Sequence, residues 1–127
     1  MLVNGDFTQD KASWYDCANT QLTKVVNNAA LEVSNNGCIY QEFPATAGKD
    51  YRMLCNALSE GTQYSSISFT MTDATYSALD AKVSVVGPGD YTGYSNTLAA
   101  PANTAIGVVT IYSEDITRVD ACYVEEI

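Results

Sequence analysis

The sequence contains no histidine, and only six lysines and arginines stand against fifteen aspartates and glutamates, giving a net charge of −9. Without histidine, no Ser-His-Asp triad, Cys-His dyad or histidine-ligated metal site can be built. The shortage of bases excludes the positive footprint of a nucleic-acid-binding surface, and the acidic field repels polyanions. No apolar run approaches the roughly 18–20 residues of a membrane-spanning helix, so no membrane partner is expected. No charged-then-apolar leader precedes the domain, and Met1 is read as a domain start. C-x-x-C spacings and EF-hand spacings are both missing, which sets aside zinc, thioredoxin-like and simple calcium-loop readings. Linkers, low-complexity blocks and solenoid-length repeats are also lacking. No window shows a capped 3.6-residue stripe. Gln21 to Ala30 comes nearest, but Thr23, Val25, Val26 and the asparagine pair disfavour helix.

What is present is a series of short period-two segments punctuated by turns. The 127 residues suffice for one domain, spanning 1–127, with an ordinary core. Leu31 to Ser34 alternates, Asn35-Asn36-Gly37 turns, and Cys38 to Phe43 alternates again, the pattern of a hairpin. Pro44 to Lys49 reads as a loop. Tyr51 to Leu58 and Tyr64 to Met71 read as strands, the latter with Ile67, Phe69 and Met71 on one face. Ala81 to Val86 places Val83 and Val85 inward against outward Lys82 and Ser84. Gly87-Pro88-Gly89 is a turn, and Ala105 to Tyr112 and Thr117 to Glu125 close the series. Eight to ten such strands make an all-β, antiparallel β-sandwich or barrel. The outward set comprises Tyr40, Glu42, Arg52, Asn56, Ser66, Ser68, Thr70, Lys82 and Ser84, a polar face of mostly small side chains.

Two features of the composition carry chemistry. Cysteines at 17, 38, 55 and 122 form an even set in a small acidic domain, which fits two disulfides and a secreted or extracellular protein; the other reading is four buried free thiols in the cytosol. Three pairings are open. Nine tyrosines and one tryptophan outnumber three phenylalanines. Such rings join an apolar face to a polar edge, which matches the C–H faces and hydroxyls of a sugar. Strand-rich proteins also use tyrosine structurally, so about half of the nine belong to the framework by this reading. Trp14 taken alone reads as core. The carboxylates are the only acid-base candidates, and none is marked as paired or buried: Glu32 and Glu42 flank the turn, while Glu114-Asp115 and Glu125-Glu126 read as solvated. An enzyme is therefore not expected.

The order of motifs resembles the jelly-roll carbohydrate-binding modules of the galactose-binding-like superfamily. Leu2-Val3-Asn4-Gly5-Asp6-Phe7 is similar to their opening motif, and Trp14 follows where the family places a tryptophan. Ala30 to Val33, Gly37, and Ile39 to Phe43 resemble the next two strands, Gly48-Lys49-Asp50-Tyr51 a loop ending in G-x-x-Y, Ala100-Pro101 a late A-P step, and Arg118 to Val124 the final strand. The resemblance covers nearly the whole chain. It implies a jelly-roll sandwich with a structural calcium held by the Asp6 carbonyl, the residue after Phe7, a loop carbonyl near Lys49 and the Asp120 carboxylate. The family commonly has Glu after Phe7; here Thr8 supplies no charge. It also implies that Cys55 pairs with Cys122, and Cys17 with Cys38. The function implied is that of a non-catalytic module, monomeric and fused to a catalytic domain, that binds a polysaccharide or oligosaccharide. The negative charge favours a neutral glycan. Two locations compete for the site: a concave sheet face with Tyr40, Arg52, Asn56 and Tyr64, or a loop edge with Trp14, Tyr15, Tyr91 and Tyr94. The alternative function is a structural or interaction sandwich in a surface or phage-tail protein, since this fold hosts both.

Overall fold

The computed structural model describes residues 2–17, 22–27 and 29–127. Met1, Gln21 and Asn28, which entered the readings above, lie outside the described residues. Ten strands are present among these residues: β1 (Tyr15–Asp16), β2 (Thr23–Val26), β3 (Ala30–Ser34), β4 (Gly37–Pro44), β5 (Asp50–Ser59), β6 (Ser65–Thr72), β7 (Ala78–Val85), β8 (Thr92–Ala99), β9 (Ile106–Ser113) and β10 (Ile116–Glu126). They form two five-stranded sheets, one in the order β1-β4-β9-β6-β7 and the other β2-β3-β10-β5-β8. Every paired neighbour is antiparallel. The chain is a β-sandwich of the jelly-roll kind. Residues 23–26, where a helix was disfavoured, are strand β2.

Each sheet contributes alternate residues to a single core. Ile39, Phe43, Ile67, Phe69, Met71, Val109 and Ile111 descend from the first sheet, and Leu31, Val33, Tyr51, Met53, Ala57 and Val119 rise from the second, all at 2% exposure or less. The period-two spacing of these residues is what the pleat requires when one face of a strand is buried. Phe7 and Trp14 join this core, with ring centroids 5.3 Å apart. Gln41 anchors the N-terminal segment there: its Oε1 accepts from Val3 N–H at 2.6 Å and its Nε2 donates to Val3 O at 2.8 Å. Both implied disulfides form, Cys17–Cys38 and Cys55–Cys122, with Cα separations of 5.1 and 4.1 Å. The second joins directly opposed residues of β5 and β10, so it lies inside the sheet that also carries the chain terminus.

Three expectations are corrected. First, the Asn-Gly hairpin does not exist. Asn35 and Asn36 do turn the chain, with left-handed φ of 51° and 68°, but β3 and β4 belong to opposite sheets. The turn is an arch over the core, held by Asn35 N–H on Asp115 O and Asn36 N–H on Ser113 O. Leu31 and Val33 thus face Ile39 and Phe43 across the interior instead of lying beside them.

Second, β7 is turned over. Among the described residues it pairs only with β6, in a register that sets Val83 beside Ser68 and Val85 beside Ser66, and the valines stand outward at 53% and 61% exposure. Lys82 and Ser84 point the other way, where the sandwich is open at its edge. There Lys82 Nζ donates to Thr97 O at 2.7 Å and Asn96 Nδ2 donates to Ser84 Oγ at 2.7 Å. Polar side chains on an inward face are tolerated because β8 supplies their partners.

Third, the segment around Tyr91 and Tyr94 is largely a strand, β8, and Tyr94 faces inward to pack on the core.

Candidate functional site

The outward face of the first sheet gathers aromatic and hydroxyl side chains. Strand register arranges them in rows. Tyr15, Tyr40, Thr110, Ser68 and Val83 lie side by side across β1, β4, β9, β6 and β7. Glu42, Val108, Thr70 and Ala81 form the next row on one side, and Cys38, Tyr112, Ser66 and Val85 the next on the other. The centre is therefore small and hydroxylated, and the rings stand around it. Tyr15 contacts Tyr40 at 5.9 Å between centroids, and Tyr64 contacts Tyr112 at 6.2 Å. Tyr76, from the β6–β7 turn, donates its hydroxyl to Glu42 Oε2 at 3.2 Å.

These groups are held by local structure. The Cys17–Cys38 bond, with Cys17 N–H on Cys38 O at 2.9 Å, fastens the short β1 and so places Tyr15 beside Tyr40. Tyr112 shares its one hydroxyl proton between Asn36 Oδ1, at 3.1 Å, and Glu114 Oε2, at 3.4 Å. Burial chiefly, then the Glu114 charge, raises the Tyr112 phenol above its ordinary range. The hydrogen bond and charge of Glu42 do the same for Tyr76. Both rings thus stay neutral donors throughout the physiological range. Strands β4, β6 and β9 contain no lysine or arginine, and Glu42 adds negative charge. Such a face displays rings and hydroxyls in a negative field.

The two residue groups drawn from sequence are not assembled as expected. Tyr40 and Tyr64 reach the face just described. Arg52 and Asn56 lie on the outer side of the second sheet, because β5 belongs to that sheet. Arg52 there pairs with Glu125, Nε to Oε1 at 2.7 Å. Asn56 lines a 250 Å³ hollow with Leu54, Gly93, Ala121 and Tyr123. Of the loop-edge group, Trp14 is 5% exposed, packs on Phe7 and donates its indole N–H to Asn4 O at 3.0 Å. Tyr94 accepts at its hydroxyl from Gly87 N–H at 2.8 Å. Tyr91 is exposed on the second sheet's side, near Asp120, Arg118 and Glu60, its phenol raised mainly by burial and then by Asp120. The sequence reading missed Tyr76, Tyr112, Val83 and Val85. Tyr112 could have been found, since it shares the outward period of Val108 and Thr110 in β9. Nothing local marks Tyr76.

Of the residues named for calcium, Lys49 and Asp120 lie apart. Asp120 is the extra residue of a bulge in β10, between the partners of Ala57 and Asn56, while Lys49 precedes Asp50 at the far end of β5. At about 3.3 Å per residue, they are roughly 25 Å apart. The Lys49 carbonyl accepts from Ala100 N–H at 2.8 Å. Asp6 Oδ1 accepts from Thr8 N–H at 3.2 Å and Thr8 Oγ1 at 2.9 Å. Asp120 and the Lys49 carbonyl are therefore too far apart to share one ion, whereas the segment before Asp6 lies beside β10, Gly5 O accepting from Cys122 N–H at 2.8 Å. Among the described residues no three acidic or cysteine side chains gather as a metal-binding group.

No family profile matches the chain, and no curated protein matches it in sequence. Solved structures do match in fold. A family 16 carbohydrate-binding module is similar at a TM-score of 0.79 and 13% identity, over 98% of each chain. TmCBM61, solved in complex with β-1,4-galactotriose, is similar at a TM-score of 0.71 and 15% identity, over 99% of this chain and 97% of its own. The enzymatically active domain of tailspike protein 4 from bacteriophage CBA120 is similar at a TM-score of 0.77 and 12% identity; the match takes in 99% of this chain but only 21% of the tailspike chain. This likeness establishes the fold class, a jelly roll shared with stand-alone carbohydrate-binding modules.

Proposed function

We propose that the chain is a non-catalytic carbohydrate-binding module whose ligand lies on the outer face of the first sheet. The observation that carries this reading is the ring of tyrosines, Tyr15, Tyr40, Tyr64, Tyr76 and Tyr112, around a floor of serine and threonine hydroxyls. Rings stack on the C–H faces of a pyranose, and the floor hydroxyls exchange hydrogen bonds with its hydroxyls. The absence of basic residues in β4, β6 and β9 favours neutral glycans such as xylan, glucan, mannan or galactan. Two disulfides suit an extracellular setting, and a monomer attached to a catalytic domain is the arrangement that a targeting role requires. A second reading, a structural or interaction domain, draws support from the match to a segment of a phage tailspike.

Affinity electrophoresis against neutral and acidic polysaccharides separates the two. We expect retardation by a neutral glycan. Tyr40→Ala should weaken it about tenfold or more, equivalent to about 1.4 kcal/mol, and Arg52→Ala, on the opposite sheet, should leave it unchanged. Retardation lost in Arg52→Ala but kept in Tyr40→Ala would move the site to the second sheet. No retardation by any glycan would favour the interaction domain.

A further inference from the structure

We propose that a hollow beside Tyr64, at the edge of this face, takes a neutral single-sugar branch, so that the preferred ligand is a decorated glycan and not a bare linear one. The inference rests on the carbohydrate-binding reading above and deepens it. The row of Tyr15, Tyr40, Thr110, Ser68 and Val83 crosses all five strands of the sheet, about 19 Å from end to end. Glu42, to which Tyr76 is bonded, flanks it on one side. Tyr112, which the Tyr64 ring meets, flanks it on the other. A glycan backbone laid along this row has hydroxyls beneath it and rings to either side.

The Tyr112 flank has a gap. Its row runs Cys38, Tyr112, Ser66, Val85, and a 570 Å³ hollow opens between Tyr64 and Val85. Both side chains are exposed, and both belong to the face as well: Val85 ends the row, and Tyr64 stands against Tyr112. The hollow is therefore continuous with the face. Ser66 is two residues from Ser68 along β6, about 7 Å. A substituent of one sugar unit, carried by a backbone over Ser68, spans that step and reaches the hollow.

The lining suits a sugar. Tyr64, Val85 and Pro88 supply apolar surface, Thr62 and Gln63 supply a hydroxyl and an amide, and no charged side chain lines the hollow. The apolar groups meet the C–H face of a sugar, and the polar ones exchange hydrogen bonds with its hydroxyls. The volume falls within the roughly 300–1,000 Å³ of small-molecule sites. The walls are also fixed in advance. Gly87 O accepts from Ser59 N–H at 3.0 Å, Val86 N–H donates to Ser65 O at 2.9 Å, and Tyr64 O accepts from Glu114 N–H at 2.8 Å. Gly87 N–H donates to the Tyr94 hydroxyl at 2.8 Å, so an inward tyrosine outside the face holds one wall. A preformed site lowers the ordering cost of binding. The 300 Å³ hollow at the Glu42 end differs: apart from that carboxylate its lining is Phe43, Pro44, Ala105 and Ile106, with neither hydroxyl nor amide.

The test compares linear and decorated oligosaccharides of the same backbone. Three matched pairs would be titrated by calorimetry into the whole protein: β-1,4-mannan with and without galactosyl branches, β-1,4-xylan with and without arabinofuranosyl branches, and β-1,4-glucan with and without xylosyl branches. We expect the decorated member of at least one pair to bind about tenfold or more tightly than its linear partner. Thr62→Trp, which fills the hollow, and Gln63→Ala, which removes its amide, should bring the decorated member down toward the linear one and leave linear binding unchanged. Unchanged melting midpoints would confirm that both variants fold. Tyr40→Ala should weaken both members of the pair. Equal or weaker binding of the decorated member in every pair that binds would overturn the proposal while leaving carbohydrate binding intact, and so would a preference that survives both variants. Linear binding lost in Thr62→Trp would put the backbone itself in the hollow and overturn the branch assignment. Binding to no member of any pair would defeat the parent reading, and this one with it.

Discussion

Gly107→Ala tests the packing that supports the tyrosine-rimmed face. Gly107 in β9 lies opposite Phe43 in β4, and the Phe43 ring lies across it. A Cβ built on Gly107 would sit 2.1 Å from Phe43 Cζ and 2.5 and 2.6 Å from the two Cε atoms. Carbon atoms rest at about 3.5–4.0 Å, so the ring would have to move by more than an ångström. It has nowhere to go: Phe43 is 2% exposed and its centroid lies 5.8 Å from Tyr51 and 6.1 Å from Phe69. Overpacking of this kind costs about 1–3 kcal/mol, and the size of the clash points to the upper half of that range. Urea unfolding should show the loss as a lower midpoint. Phe43→Leu in the same background should recover at least about 1 kcal/mol relative to the sum of the single changes, because two residues in contact are not additive. Because Glu42 and Pro44 flank Phe43, displacing β4 should also weaken glycan binding. A Gly107→Ala variant within about 0.5 kcal/mol of wild type, the ordinary range of a surface change, or an additive double-variant cycle, would refute the packing argument.

Two further outcomes follow from the framework. The disulfides close loops with sequence separations of 67 and 21 residues, for which chain entropy gives about 4 and about 3 kcal/mol respectively. Replacing both members of the buried Cys55–Cys122 pair by alanine should therefore cost more in urea unfolding than replacing Cys17 and Cys38, and the reverse order would contradict the account. Asp73 is held below its ordinary carboxylate range, first by the Thr75 hydroxyl and then by the Ser77 and Thr75 N–H groups. A carboxyl whose folded value is depressed stabilises the fold above its unfolded value, and that contribution fades as the pH falls through the folded one. The gap between the melting midpoints of wild type and Asp73→Ala should then be widest near neutrality and narrow below pH 3.8; a gap independent of pH would show that the turn does not depend on the charge.

The sequence by itself determined the class of the fold and the membership of much of the core. Alternation at Leu31 and Val33, at Ile39 and Phe43, and at Ile67, Phe69 and Met71 reports directly which side chains are buried, because the pleat sends neighbours to opposite faces. The order of motifs carried the jelly-roll resemblance, and with it the disulfide partners. What the pattern could not report is which sheet a strand joins. One buried face looks the same whether the next strand lies beside it or across the core, so the Asn35-Asn36 turn reads as a hairpin and proves to be an arch. The same ambiguity dispersed the candidate site. Tyr40, Arg52, Asn56 and Tyr64 share an outward exposure, yet only Tyr40 and Tyr64 share a face, since β4 and β9, whose Tyr112 the Tyr64 ring meets, belong to one sheet and β5 to the other. At β7, tertiary context overruled the pattern itself: an edge strand whose inward polar groups find partners on β8 can leave Val83 and Val85 in solvent. Tyr76 lay furthest from legibility. Its bond to Glu42 depends on a turn conformation and on the placing of β4 and β6 on either side of β9, and long-range register of that kind leaves no trace in local sequence.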